Sequence, residues 1–114
     1  MILQRDLLLV PFPFSDQSGR KVRPIIVISN NNFNENSEDI LIVGVTSNVN
    51  KGEYNLKLEN KDLEDGKLIT NCTIKVENIL KLDKNLIIKR IGKIKSEKLI
   101  EINKVINKLI RINN

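Results

Sequence analysis

Three basic residues, Arg20, Lys21 and Arg23, close a turn-rich stretch, PFPFSDQSG, and Pro24 with the apolar run Ile25–Ile28 follows without a spacer. A guanidinium is planar, permanently charged, and binds phosphate or carboxylate oxygens as a fork. Pro24 fixes its own φ and biases Arg23 toward extended backbone. The sequence therefore sets a fixed cation at the lip of a rigid strand, which suits stabilisation of charge developing on a phosphate oxygen. The same spacing also suits an ordinary ion pair of Arg23 with Asp16 or Glu53, with Pro24 only starting the strand. Spacing alone leaves both readings open.

Absences narrow the chemistry. The chain has no histidine, so His-based acid–base pairs, triads and zinc sites are excluded. No Gly-rich phosphate loop of the P-loop or dinucleotide type occurs. Catalysis falls to Arg, Lys, Ser, Thr, Tyr and carboxylates, and no metal or cofactor is expected. Cys72, the one cysteine, sits in a strand-like run and reads as a small buried residue rather than a nucleophile. It also excludes a disulfide framework. The formal net charge of +5 points to an anionic partner, nucleic acid or an anionic membrane surface. No apolar run approaches the ~18 residues that span a bilayer. The charges of MILQRDLLLV fall among its apolar residues, unlike a signal peptide, so a cytoplasmic location is expected.

The elements that must position these residues follow from periodicity. Residues 6–12 read as a strand entering a loop over 13–22, and residues 24–29 as a strand apolar enough to be buried on both faces. The polar stretch 30–39 reads as a surface loop. Residues 40–46 form another buried strand, with Gly44 marking a bulge or barrel bend. Residues 53–60 alternate as a half-buried strand with Tyr54, Leu56 and Leu58 on one face. Residues 61–68 read as a connector around Gly66, 70–82 as a longer strand bent near Glu77–Asn78, and 86–94 as a strand around Gly92. From Ser96, a candidate N-cap, Leu99, Ile102, Val105 or Ile106, Leu109 and Ile112 follow helical spacing. The expectation is one domain over 1–114, α+β and mainly β: a compact barrel with a C-terminal amphipathic helix.

The stretch DLLLVPFPFSDQSGRKVRPIIVIS, with ILIVGVTSN and ENILKLDKNLIIKRIGKI behind it at matching spacing, resembles the MazF/PemK family, the toxins of bacterial toxin–antitoxin pairs. The Lys-Val-Arg-Pro entry into an apolar strand, Lys21 to Pro24, is the most specific part. The resemblance implies an SH3-like barrel of the MazF/CcdB/PemK type, a homodimer, an acidic antitoxin as partner, and metal-independent cleavage of single-stranded RNA. Arg23 matches the family's catalytic arginine and Thr46 its catalytic threonine. Two departures stand out. Arg5 occupies a position where the family usually has glycine, and Asn78-Ile79-Leu80 stands where many members carry Gln-Ile-Arg.

Read through that likeness, Arg23 is the donor to the scissile phosphate, and Thr46 donates its hydroxyl or orients the 2′-hydroxyl. Ser47 and Asn48 are assigned to substrate binding, although a plain turn explains them equally well. Glu77 and Asn78 are substrate contacts of the long strand. Phe14, and less so Phe12, which reads as core, offers a base-stacking surface. Ser15, Arg20 and Lys21 belong to a loop expected to gate the groove, the two cations holding backbone phosphates. Glu77, Asp16 or a held water are the candidate bases, with none preferred. Lys51, Lys57 and the lysines of the final helix read as a solvated face. Competing readings are a non-catalytic binding barrel and a CcdB-like gyrase poison, whose aromatic C-terminal ending RINN lacks.

Overall fold

The structure is a computed structural model that describes residues 1–12, 21–49 and 52–114. Phe14, Ser15, Asp16, Arg20 and Lys51 lie outside the described residues. Seven strands, β1 (Asp6–Phe12), β2 (Lys21–Val27), β3 (Asp39–Thr46), β4 (Asn55–Leu58), β5 (Leu63–Gly66), β6 (Cys72–Asp83) and β7 (Lys89–Ile94), form one sheet. Its order is β4-β6-β3-β2-β1-β7-β5, and helix α2 (Ser96–Leu109) follows. The pairings are antiparallel. The two edge strands, β4 and β5, are consecutive in the chain and joined by residues 59–62. The sheet therefore curls back toward itself into a mainly β barrel with a terminal helix, as expected.

Successive side chains of a strand point to opposite faces, and here both faces are covered. Leu7, Ile26 and Val43 belong to a core shared with α2 through Ile102 and Val105. Their neighbours Leu8, Ile25, Val27 and Ile42 belong to a second core on the other face, closed by Ile2, Leu86 and Ile87. Burial on both faces is why β1, β2 and β3 read as continuous apolar runs rather than alternating ones.

The predicted bends are real. The β3–β6 register jumps between Val43, opposite Ile79, and Gly44, opposite Lys75. Val76, Glu77 and Asn78 thus bulge from β6 beside Gly44. Gly66 has φ +88°, and a Cβ there would collide with the Ile91 carbonyl oxygen and the Gly92 Cα. Only glycine lets β5 and β7 close to this distance.

Four readings need correction. Residues 30–39 are not simply a loop, because α1 (Asn31–Asn36) forms there with Asn30 Oδ1 accepting from Phe33 N at 2.8 Å. The helix is anchored by a polar group. Asn34 is buried, donates to the Ser29 carbonyl at 3.0 Å and accepts from the Ser29 hydroxyl. The connector 61–68 contains β5, whose short charged sequence LEDG hides it. Ser96 is the first helical residue rather than the cap; Lys95 occupies that place without a side-chain bond, and Ile112 lies exposed beyond the helix end. Lys98 is not part of a solvated face. It is buried, with its ammonium 3.1 Å from Glu101, 3.6 Å from Asp62 and 3.2 Å from the Lys57 carbonyl. Among the described residues no helix is long and apolar enough to cross a membrane.

Candidate active site

Pro24 has no N–H to donate, and the β2–β3 pairing begins only at Ile25, opposite Gly44. Beyond it, Arg23 of β2 and Thr46 at the end of β3 face each other without a ladder between them. The Arg23 Nη1 group donates to the Thr46 Oγ1 at 3.5 Å, a long bond. The guanidinium carbon lies 4.9 Å from the centroid of the Phe12 ring. A cation over an aromatic face is held electrostatically while its in-plane N–H groups stay available. Phe12 is therefore not core, as its strand position suggested. It is 41% exposed and forms the platform under Arg23.

Thr46 is fixed as well. Its oxygen also accepts from Asn48 N at 3.2 Å. The Thr46 oxygen accepts from both Arg23 and Asn48, so the hydroxyl is held at the pair. The strand end and the turn after it, Thr46-Ser47-Asn48, thereby orient one neutral donor beside one charged donor.

Two depressions meet at Arg23 and Pro24. A cleft of about 220 Å³ is lined by Phe12, Arg23, Thr46, Lys75, Asn78 and Leu80 among others. A groove of about 780 Å³ on the other side of Arg23 is lined by Lys21, Ser47, Asn48, Lys67 and Lys89 with apolar neighbours. No carboxylate lines either one among the described residues. No ion pair joins Arg23 to Glu53 or to another described carboxylate. Burial pushes the Cys72 thiol up. At the groove floor it stays protonated near neutral pH, which suits its reading as a buried residue.

Of the residues singled out in the sequence, Arg23 and Thr46 meet directly, Asn78 lines the cleft, and Lys21, Ser47 and Asn48 line the groove. Glu77 lines neither. It lies on the β6 bulge and accepts from Asn55 Nδ2 at 3.3 Å. Sequence reasoning missed Phe12 as a platform, and missed Lys67, Lys75 and Lys89. Lysines are spread so evenly along the chain that no local pattern marks these three. Only the strand order β1-β7-β5 brings Lys67 and Lys89 beside Lys21.

The comparisons with known proteins point one way. A Staphylococcus epidermidis protein, endoribonuclease MazF, is 28% identical over 119 residues, covering 100% of this chain and 95% of its own length. A mycobacterial endoribonuclease solved with its cognate antitoxin superposes with a TM-score of 0.78 at 16% identity, covering 100% of this chain and 99% of its own. The Deinococcus radiodurans MazE–MazF structure superposes with a TM-score of 0.77 at 16% identity and 98% coverage of both chains. Residues 3–110 match the family model described as the PemK-like, MazF-like toxin of type II toxin–antitoxin systems, and the chain belongs to that family.

Proposed function

We propose that the protein is an endoribonuclease that cleaves single-stranded RNA without a metal, the toxin of a type II toxin–antitoxin pair. The observation that carries this reading is the Arg23 guanidinium, held between the Phe12 ring and the Thr46 hydroxyl in a depression free of described carboxylates. Cleavage by the RNA's own 2′-hydroxyl makes a bond from the 2′-oxygen to phosphorus and breaks the bond to the 5′-oxygen. The products are a 2′,3′-cyclic phosphate and a 5′-hydroxyl. The 2′-hydroxyl proton leaves to a base and the 5′-oxygen gains a proton. In between, charge accumulates on the non-bridging oxygens, where fixed donors act most strongly. Arg23 supplies two in-plane N–H groups to those oxygens, and the Thr46 hydroxyl supplies a third donor. The platform and the turn hold both in place before substrate arrives, so little reorganisation remains.

Asn78, Ser47 and Asn48 border the pair and contact the nucleotides on either side of the scissile phosphate. Lys21 holds a backbone phosphate, and the family likeness extends the substrate-binding role to Phe14, Ser15 and Arg20. The chain acts as one domain in the cytoplasm and as a homodimer, with an acidic antitoxin segment silencing the basic surface. A gyrase-poisoning barrel has no need of a paired guanidinium and hydroxyl at a depression without described carboxylates.

The test is purification, incubation with a defined single-stranded RNA in EDTA, and sequencing of the new ends. Discrete cuts bearing 5′-hydroxyls are expected. Uncut RNA, or cutting that stops when EDTA is added, overturns the reading.

A further inference from the structure

We infer that the large groove beside Arg23 is a phosphate track for the RNA on one flank of the scissile bond, and that Lys67 and Lys89 are the residues that hold it. The inference rests on the endoribonuclease reading and extends it from the cleaved phosphate to the strand that leaves it. A polymer whose phosphate sits at Arg23 must run away from the site on both sides. The two sides differ. The 220 Å³ cleft falls below the ~300–1,000 Å³ typical of ligand pockets, whereas the groove at 780 Å³ lies well inside that range. The cleft takes one base, and the groove takes a longer stretch.

Charge follows the same asymmetry. Lys21, Arg23, Lys67 and Lys89 all line the groove, and no described carboxylate does. None of these four is in an ion pair among the described residues. Val22 and Ile69, both exposed, line the same groove and offer apolar contact to bases. Cations and apolar contacts in one groove suit a single strand, which presents phosphates and unstacked bases together.

The wall carrying Lys67 is built, not incidental. Between β5 and β6 the chain is pinned at Leu68, whose side chain is buried. Its N–H donates to Asn60 Oδ1 at 2.7 Å, and its carbonyl accepts from Asn60 Nδ2 at 3.3 Å. This anchor turns the flanking residues, Lys67 and Ile69, outward. Lys89 opens β7, the strand next to β1. An acidic protein segment would also meet the cations, but continuity with the Arg23–Thr46 pair favours the substrate.

The probe is a fluorescent random-sequence 2′-O-methyl RNA pool, which binds without being cut. Affinity is measured by anisotropy across a salt series for wild type, Lys67→Ala/Lys89→Ala and Lys67→Arg/Lys89→Arg. Single-stranded RNA loses ~0.7 of log–log salt slope per phosphate contact, so the alanine pair should lower the slope by about 1.4 and the arginine pair should restore it. With cleavable RNA, the alanine pair should raise KM for substrates extended on one flank of the cut and leave KM unchanged for those trimmed on that flank. An unchanged slope overturns the inference, as does an equal KM penalty on both flanks. Loss of affinity for an acidic peptide with RNA binding intact overturns it too, and assigns the groove to a protein partner. A lowered slope in a protein that cuts no RNA keeps the track and overturns the endoribonuclease reading alone.

Discussion

Strand β1 has an arginine beside each end, and the two are treated in opposite ways. At one end Arg90, on β7, is bound to two carboxylates: Nε to Asp6 at 3.2 Å and Nη2 to Asp65 at 2.8 Å. The hydrogen bonds to Asp65 and then Asp6 push its pKa up further. Asp6 is buried, and its second oxygen accepts from Leu3 N at 2.9 Å. At the other end Arg23 meets only an aromatic face and a hydroxyl among the described residues. An arginine bound to two carboxylates ties strands together, and its charge is already matched. One held by its π face and a single long bond to a hydroxyl keeps most of its donors and its charge unmatched among the described residues. The difference separates a guanidinium that ties strands from the one proposed to act on the phosphate, without reference to where either lies in the chain.

Replacing each arginine should break the protein in a different way. Arg23→Ala is expected to lower cleavage by ~10²–10³, about 2.7–4 kcal/mol by comparison with loss of an oxyanion-hole donor. Its melting temperature should stay close to wild type. Arg23→Lys should recover only part, because a point charge does not reproduce the fork. A fluorogenic RNA assay with folding followed by circular dichroism measures both. Wild-type cleavage by folded Arg23→Ala would erase the distinction.

Arg90→Ala should do the reverse. It leaves the buried Asp6 carboxylate with one of its two partners, a loss of about 1–3 kcal/mol, while cleavage per folded molecule is unchanged. Chemical denaturation gives the stability and the same RNA assay gives the rate. A rate loss with unchanged stability would show that the β1–β7 end belongs to the site after all.

Thr46→Ala sharpens the comparison within the site. A neutral hydroxyl contributes ~0.5–1.5 kcal/mol, so a fall in kcat of severalfold to about tenfold is expected, well short of Arg23→Ala. Equal losses would mean that the two act as one unit. The smallest effect is expected at a third arginine. Arg5 has φ +80°, a conformation that costs ~1–2 kcal/mol for residues with a Cβ. Its guanidinium offsets this by donating at 3.0 Å to both Glu64 and the Ile94 carbonyl. Arg5→Gly relieves the strain and loses an exposed pair worth ~0–1 kcal/mol, together with glycine's greater unfolded-state entropy. The midpoint of denaturation should move by less than about 1 kcal/mol, and a larger loss would place Arg5 with Arg90 as a tie.

What the sequence made legible follows the same division. The strands with both faces buried, the Gly44 and Glu77–Asn78 irregularities and the apolar stripe of α2 are local patterns, and local patterns survive in one dimension. Arg23 was legible as a candidate because Pro24 and the apolar run sit next to it. Its meeting with Thr46 rested on resemblance, since 22 residues lie between them in the chain and nothing in their spacing fixes a contact. Helix α1 was hidden because its anchor is Asn34 against Ser29, a polar contact with no hydropathy signal. Strand β5 was hidden because its partner, not its composition, makes it a strand. Lys98 was hidden in a row of lysines by carboxylates, Asp62 and Glu101, that only the fold brings to it.

The closure of β1 by β7 also bears on how the protein is made. The Arg90–Asp6 bond joins residues 84 positions apart, so the first strand of the barrel waits for the last. During synthesis β1, β2 and β3, and with them Arg23 and Thr46, precede β7 in the chain. A chain that ends before β7 thus carries the Arg23–Thr46 pair on a sheet whose first strand has a bare edge. Such a species is prone to off-pathway association. That edge is closed only when β7 docks beside β1.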